Sequence, residues 1–340
     1  MTQMTDEKPS ERRIDEADFL RIAKHLHRLT GIYLTAAKRA MVASRLRQRV
    51  KAVGLGSLTA YADLIHSPAG AAELEEMIQA LTTNMTRFDR EATQFAHFDA
   101  EVMPDLAARA RAGERVRLWS AGCSSGEEAY SLGFRVLDHC PEAARLDLRI
   151  LATDIDRRIL ERATGGRYAP EQLAPLSPLH RARYFDWPDG GDVATTGPLI
   201  GVDDALRAIT AFRLLNLLSE WPFRGRFDVI MCRNVTIYFD AETQLRLWRR
   251  FFDQLEPGGV LYIGHSEVIR SEAPLDFDAL GAGVFRKRGA RLARVGPRFV
   301  GRSVSVSVSG SKPACQTVAI AAPVTGAKGR FAEWRIEGDL

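Results

Sequence analysis

Two hydrophobic rhythms divide the chain. Over residues 14–30, Phe19, Ile22, Ala23, Leu26 and Leu29 recur at three- and four-residue spacing before Gly31, which predicts an amphipathic helix. A second helix is predicted over about 35–53, with Val42, Leu46, Val50 and Val53 inward, and shorter ones over about 58–65 and 71–81. Together they read as a small all-helical domain over residues 14–84. From residue 115 the pattern changes to short apolar runs that end in polar side chains. Val116, Leu118 and Trp119 lead into Ser120, residues 148–156 (LRILATDID) end in acids, 227–234 (FDVIMCRN) end in Arg233 and Asn234, and 260–267 (VLYIGHSE) end in His265, Ser266 and Glu267. Between the last two, residues 241–255 carry a helical pattern closed by Pro257, Gly258 and Gly259. Buried strands with polar carboxyl ends, separated by helices, predict an α/β fold with a doubly wound, mostly parallel sheet over residues 85–289. Ligands of such sheets bind beyond the carboxyl ends of the strands.

The chemistry concentrates at residues 115–133, RVRLWSAGCSSGEEAYSLG, which read as strand, tight glycine turn and helix. The turn delivers a helix N-terminus that favours polar or anionic groups. Glu127 and Glu128 lie in its first turn, either as favourable partners of the helix dipole or as holders of a ligand bearing hydroxyls or a positive charge. In nucleotide-binding folds an acid at the end of the second strand takes the ribose hydroxyls, and Asp154 stands there; Asp156 suits a cap of the next helix better. Cys123 has no evident base beside it and reads as a small packing residue.

Charge and cysteine usage narrow the classes. The formal net charge is +4, yet residues 291–340 hold 8 basic and 3 acidic residues, leaving 39 basic against 40 acidic in the first 290. A folded body near neutrality lacks the basic footprint of a nucleic-acid enzyme. The predicted helix 35–53 is the local exception: it carries Lys38, Arg39, Arg45, Arg47, Arg49 and Lys51, and no acid occurs from residue 19 to 62. That face is either simply solvated or docks an acidic partner. Four cysteines without C-x-x-C spacing indicate neither a zinc site nor a disulfide framework. No run approaches a membrane span and the N-terminus lacks a signal peptide's apolar core, so the chain is expected to be cytoplasmic. Residues 290–340, poor in large apolar side chains, read as a flexible extension, with the alternating Ser303 to Ser309 run and a candidate docking motif at Phe331 to Trp334.

The ordered motifs LTTNMTRFDRE, WSAGCSSGEEAYSLG, LATDID, LLNLL, CRNVTIYFD and GHSE closely resemble the chemotaxis receptor methyltransferases of the CheR family, over residues 14 to 288. The resemblance implies a class I S-adenosylmethionine methyltransferase domain behind a helical receptor-docking domain, and methyl esterification of receptor glutamates. It implies contact with the cofactor S-adenosylmethionine for Asn84, Thr86, Arg90, Glu128, Asp154, Asn216, Leu217, Arg233 and Asn234. It places Tyr238 near the transferred methyl, and Arg90 with Tyr238 in orienting the glutamate. A guanidinium offers fixed planar donors for a carboxylate; otherwise Arg90 would be an interdomain salt bridge. As partner it implies the methylation helices of chemoreceptors, met by the basic helix through Lys38, Arg39, Arg45 and Arg49. A small β-subdomain is implied near residues 183–207, where Trp187 to Gly191 and Thr196 to Pro198 give turn signals. Two departures stand out: Asp89 where the family commonly has a second phenylalanine, and Gly122-Cys123 where it often has two alanines. A carboxylate is already an adequate nucleophile, so the reaction needs no general base and no metal, only alignment. The alternatives are a same-fold methyltransferase acting on a small molecule or nucleic acid, and a non-catalytic binding module.

Overall fold

The structure, a computed structural model, describes residues 14–186, 199–269 and 275–289. The extension 290–340 and the turn signals at 187–191 and 196–198 lie outside the described residues. Four helices open the chain: α1 (Glu16–Thr30), α2 (Arg39–Ala52), α3 (Leu58–His66) and α4 (Ala71–Leu81). Asp15 starts α1 by accepting the Asp18 N–H at 2.7 Å. The inward positions of the four helices form one apolar cluster around Leu26, Leu46, Tyr61 and Met77. Residues 36–38, expected as the start of the second helix, form a separate 3₁₀ turn.

The basic face of α2 is only partly free. Arg49 donates Nε and Nη2 to Glu73 at 2.9 and 2.7 Å and pairs with Glu76 at 2.9 Å. Arg45 donates Nη1 to the carbonyls of Leu81 and Thr82 at 3.0 and 2.7 Å. The expectation that Arg45 and Arg49 face a partner is therefore corrected. Acids on α4 and the unsatisfied carbonyls at its C-terminal end lie within their reach. Lys38 and Arg39 are exposed.

Helices α5 (Ala92–His97) and α6 (Met103–Arg111) lead into the sheet, with a π-helical turn between them. There follow β1 (Val116–Ala121), α7 (Glu127–His139), β2 (Leu148–Asp154), α8 (Arg157–Gly165), β3 (Arg167–Tyr168), α9 (Pro170–Leu173), α10 (Pro178–Tyr184), β4 (Ile200–Gly201), α11 (Asp204–Ile209) and β5 (Thr210–Leu214). The chain continues through β6 (Phe227–Cys232), α12 (Ala241–Gln254), β7 (Leu255–Ile263), β8 (Phe277–Gly281) and β9 (Val284–Lys287). The seven-stranded sheet runs β5-β2-β1-β6-β7-β9-β8, with its first five strands parallel and β9 antiparallel to both neighbours. Strands β1, β2 and β6 are buried at every position, which accounts for their mostly apolar character; Arg117, Arg149 and Asp228 near their starts are the buried charged exceptions. The order steps outward from β1 in both directions, so the topological switch lies beside the glycine turn.

The middle of the stretch expected to form a small β-subdomain, residues 187–198, lies outside the described residues. Among the described residues around it, β3 (Arg167–Tyr168) pairs with β4 (Ile200–Gly201) and Phe185 bridges to Val202. Residues 204–209 are helical, capped by Asp203 and burying Leu206 and Ile209.

Candidate active site

A cleft partly open to solvent lies across the carboxyl ends of β1, β2, β5 and β6. Every residue expected to touch the cofactor or the transferred methyl lines it: Asn84, Thr86, Arg90, Glu128, Asp154, Asn216, Leu217, Arg233, Asn234 and Tyr238. The helical domain adds Thr30 and Ile32, which sequence reasoning missed.

The floor is the turn after β1. Gly122 has φ +81°, and a Cβ there would collide with the Val235 side chain, so in this chain conformation and space both favour glycine. Gly122 and Cys123 donate their N–H groups to the Thr153 carbonyl at 2.8 and 2.9 Å, and the departure from two alanines leaves the turn intact. Cys123 packs with Ala129, Ala152 and Leu160, and burial pushes its thiol well above the ordinary range. It is a packing residue.

Asp154 ends β2 with its carboxylate buried. It accepts the Ser124 N–H at 2.8 Å and the Asp156 N–H at 3.0 Å. Burial raises its pKa, against the lowering effect of those N–H groups. Asp156 caps α8, accepting from Arg158 and Ile159 at 3.0 and 3.2 Å, as the sequence suggested. The Asn84 amide is committed to Asp156 at 2.8 Å, and its carbonyl accepts the Ser124 hydroxyl at 3.0 Å. Asn84 thus braces the loop that presents Asp154.

Of the two acids opening α7, Glu128 faces the cleft and Glu127 turns to Ser125 at 2.6 Å. Glu128 accepts the Ser120 hydroxyl and the Arg233 Nε, each at 2.7 Å. Arg233 also donates to the Arg90 carbonyl at 2.7 Å and lies over the Phe95 ring. Arg90 itself donates Nη1 to the Met85 carbonyl at 2.9 Å. Asp89 does not pair with it: its Oδ1 accepts from Arg135 at 2.8 Å and its N–H donates to Ser131 at 3.1 Å. The change from phenylalanine is absorbed by a salt bridge away from the cleft.

Among the described residues, the non-glycine positions with positive φ are Asp89, Glu91, Ser124 and Asn234. All border the cleft or flank Arg90. Such backbone needs support from its surroundings, and it concentrates at functional sites. Asn234 shows this support. Its N–H donates to Glu267 at 2.9 Å and its Nδ2 to Glu91 at 3.4 Å, while its buried Oδ1 has no partner. Glu91 and Glu267 were not singled out from the sequence; the one available signal was an acid at the end of an apolar strand.

Asn216 donates Nδ2 to the Leu29 carbonyl at 2.6 Å and accepts the Leu218 N–H at 2.9 Å, tying the end of α1 to the segment after β5. Tyr238 lies in a 3₁₀ turn, Thr236–Tyr238, and its carbonyl accepts the Tyr33 N–H at 2.7 Å. The bridge between Ile32 and Phe239 and the contact of His27 with Asp240 continue that seam.

An acid at the end of the second strand, a glycine turn after the first and a cleft at the switch point define an α/β enzyme of the nucleoside-cofactor class. Residues 84–284 match the family description "CheR methyltransferase, SAM binding domain", and residues 17–82 match "CheR methyltransferase, all-alpha domain". The chain is 44% identical over 265 residues to a probable chemotaxis protein methyltransferase of Rhizobium etli, covering 78% of this chain and 97% of that one. It is 41% identical over 278 residues to the chemotaxis protein methyltransferase of Klebsiella aerogenes, covering 80% and 90%. The Escherichia coli chemotaxis protein methyltransferase is 40% identical over 260 residues, covering 75% and 85%. The chain belongs to the CheR methyltransferase family, and its cofactor is S-adenosylmethionine. No helix among the described residues is long and apolar enough to cross a membrane.

Proposed function

We propose that the chain methylates glutamate side chains of chemoreceptors to their methyl esters, acting in the cytoplasm on the receptors' methylation helices. The observation that carries this reading is the meeting of Arg90, Asn234 and Tyr238 in one cleft with Asp154 and Glu128. When bound, S-adenosylmethionine supplies a methyl group made electrophilic by its sulfonium.

The residues present suit that cofactor. Asp154 would accept the ribose hydroxyls. Ile155, Leu215 and Leu217 give an apolar wall for a base, with Asn216 at its edge. Glu128, Arg233 and Asn234 would take the charged methionine portion, and the unpartnered Asn234 Oδ1 is an acceptor that a bound donor would satisfy. Thr86 and the Asn84-braced loop would close one side of the site.

The chain's own task is alignment. An ionised glutamate brings its own nucleophilic oxygen, so no side chain need remove a proton. Arg90 would grip the incoming carboxylate through its planar donors, and the Tyr238 hydroxyl would fix its second oxygen. The exposed Lys38 and Arg39 suit an acidic receptor helix. Tandem mass spectrometry of a chemoreceptor incubated with the protein and S-adenosylmethionine tests the assignment. Methyl groups on glutamate residues support it, and methyl groups confined to lysine, arginine or no residue contradict it.

A further inference from the structure

Glu267 lies just beyond β7, buried, and both of its oxygens serve as acceptors. Oε1 takes the Val235 N–H at 3.1 Å, the Thr236 N–H at 2.7 Å and the Thr236 hydroxyl at 2.7 Å. Oε2 takes the Asn234 N–H at 2.9 Å and the Gly264 N–H at 2.5 Å. Successive backbone N–H groups turned towards one centre form an anion nest, here filled by the chain's own side chain. The nest begins at Asn234, whose φ of 60° needs external support. It ends where the 3₁₀ turn carrying Tyr238 begins, so Glu267 also satisfies the free N–H groups at the start of that turn. Glu91 meets the side-chain amide of the same asparagine. Glu267 does not itself line the cleft.

We propose that Glu267 is a positioning residue for methyl transfer. It fixes the backbone of residues 234–238 and so aims Tyr238 without touching cofactor or substrate, while Glu91 holds the Asn234 side chain. This assignment rests on the reading of Tyr238 as a residue of the reaction centre, and the experiment separates the two.

Kinetics with S-adenosylmethionine and receptor would be measured on the full chain carrying Glu267→Gln, Tyr238→Phe, or both. Cofactor Kd and the urea midpoint would be determined for each. Glutamine keeps the shape but turns an NH₂ donor towards N–H donors. The expected result is a kcat at least ~30-fold lower in Glu267→Gln with cofactor Kd within ~3-fold, and a double variant no slower than the worse single one, because both changes act on one side chain's placement. If Glu267→Gln does not fold, Thr236→Val, which removes one donor, takes its place with an expected loss of ~3-fold and the same non-additivity. A kcat within ~2-fold of the parent, losses that multiply in the double variant, or cofactor affinity and midpoint falling together with kcat would overturn the proposal. A silent Tyr238→Phe would refute the reading of Tyr238, and the proposal with it. A damaging Tyr238→Phe beside a silent Glu267→Gln would overturn the proposal alone.

Discussion

Arg233 Nε donates to Glu128 Oε2 at 2.7 Å with both side chains nearly excluded from water, joining the segment after β6 to the first turn of α7 across the cleft floor. The guanidinium also reaches the Arg90 carbonyl. One buried charge pair thereby sets the spacing between the helix N-terminus and the segment bearing Arg90.

Removing one member of this pair should cost more than either member alone contributes. Arg233→Met leaves Glu128 buried without its cation and should lower stability by ~3–5 kcal/mol. Urea unfolding at neutral pH checks this, and a loss below ~1 kcal/mol would mean that water relieves the carboxylate.

Arg90 is expected to act mainly on turnover. Arg90→Ala should reduce kcat by ~100-fold, and Arg90→Lys should recover little, since a point charge lacks the planar fork. Near-normal turnover in Arg90→Ala would remove the residue from the mechanism.

Asp154→Ala should chiefly weaken cofactor binding, by ~10–100-fold, the worth of a charged hydrogen bond of ~1.5–3 kcal/mol. Burial raises the Asp154 pKa, so its accepting form is lost on acidification earlier than for an ordinary carboxylate. Cofactor affinity should fall as pH drops through that raised value, and this component should be missing in Asp154→Ala. Calorimetric titration across pH reads both, and an unchanged Kd at neutral pH would refute the ribose role.

Asp240 caps α12 through the Thr243 N–H at 2.8 Å and meets His27 of the helical domain. Burial pushes its carboxyl upward, but the Thr243 N–H and His27 outweigh it and the net shift is downward. A depressed folded-state pKa gives stability that is present above the unfolded value of ~3.9 and lost as pH falls through the folded one. Asp240→Asn keeps a good cap yet lacks this titration. Its loss of stability between pH 6 and pH 3 should therefore be smaller than the parent's, read from denaturant midpoints. Equal losses would show that the contact contributes nothing.

The sheet was legible because buried parallel strands are mostly apolar and turn polar where they end at the cleft. β1, β2, β6 and β7 were all visible in that way. The cleft was legible through ordered motifs: the ten residues expected there all line it. What escaped was engagement. Charge counting along α2 shows six basic residues, but it does not show that Arg45 and Arg49 are spent on α4, because those partners lie 24 to 37 residues away. For the same reason Glu267 passed as a polar strand end: apart from the Gly264 N–H, its donors come from 31 to 33 residues upstream. The helical stretch 204–209 was hidden by its shortness and by the turn signals before it.

The most direct test of the whole account is the chemistry of the product bond. The protein would be mixed with S-adenosylmethionine labelled on its methyl group and with chemoreceptor-containing membranes, and the washed receptor treated with mild base. The account predicts label on the receptor that leaves as volatile methanol, the behaviour of a carboxyl methyl ester. Label that survives base would mean methylation at nitrogen or carbon and would contradict glutamate as the acceptor.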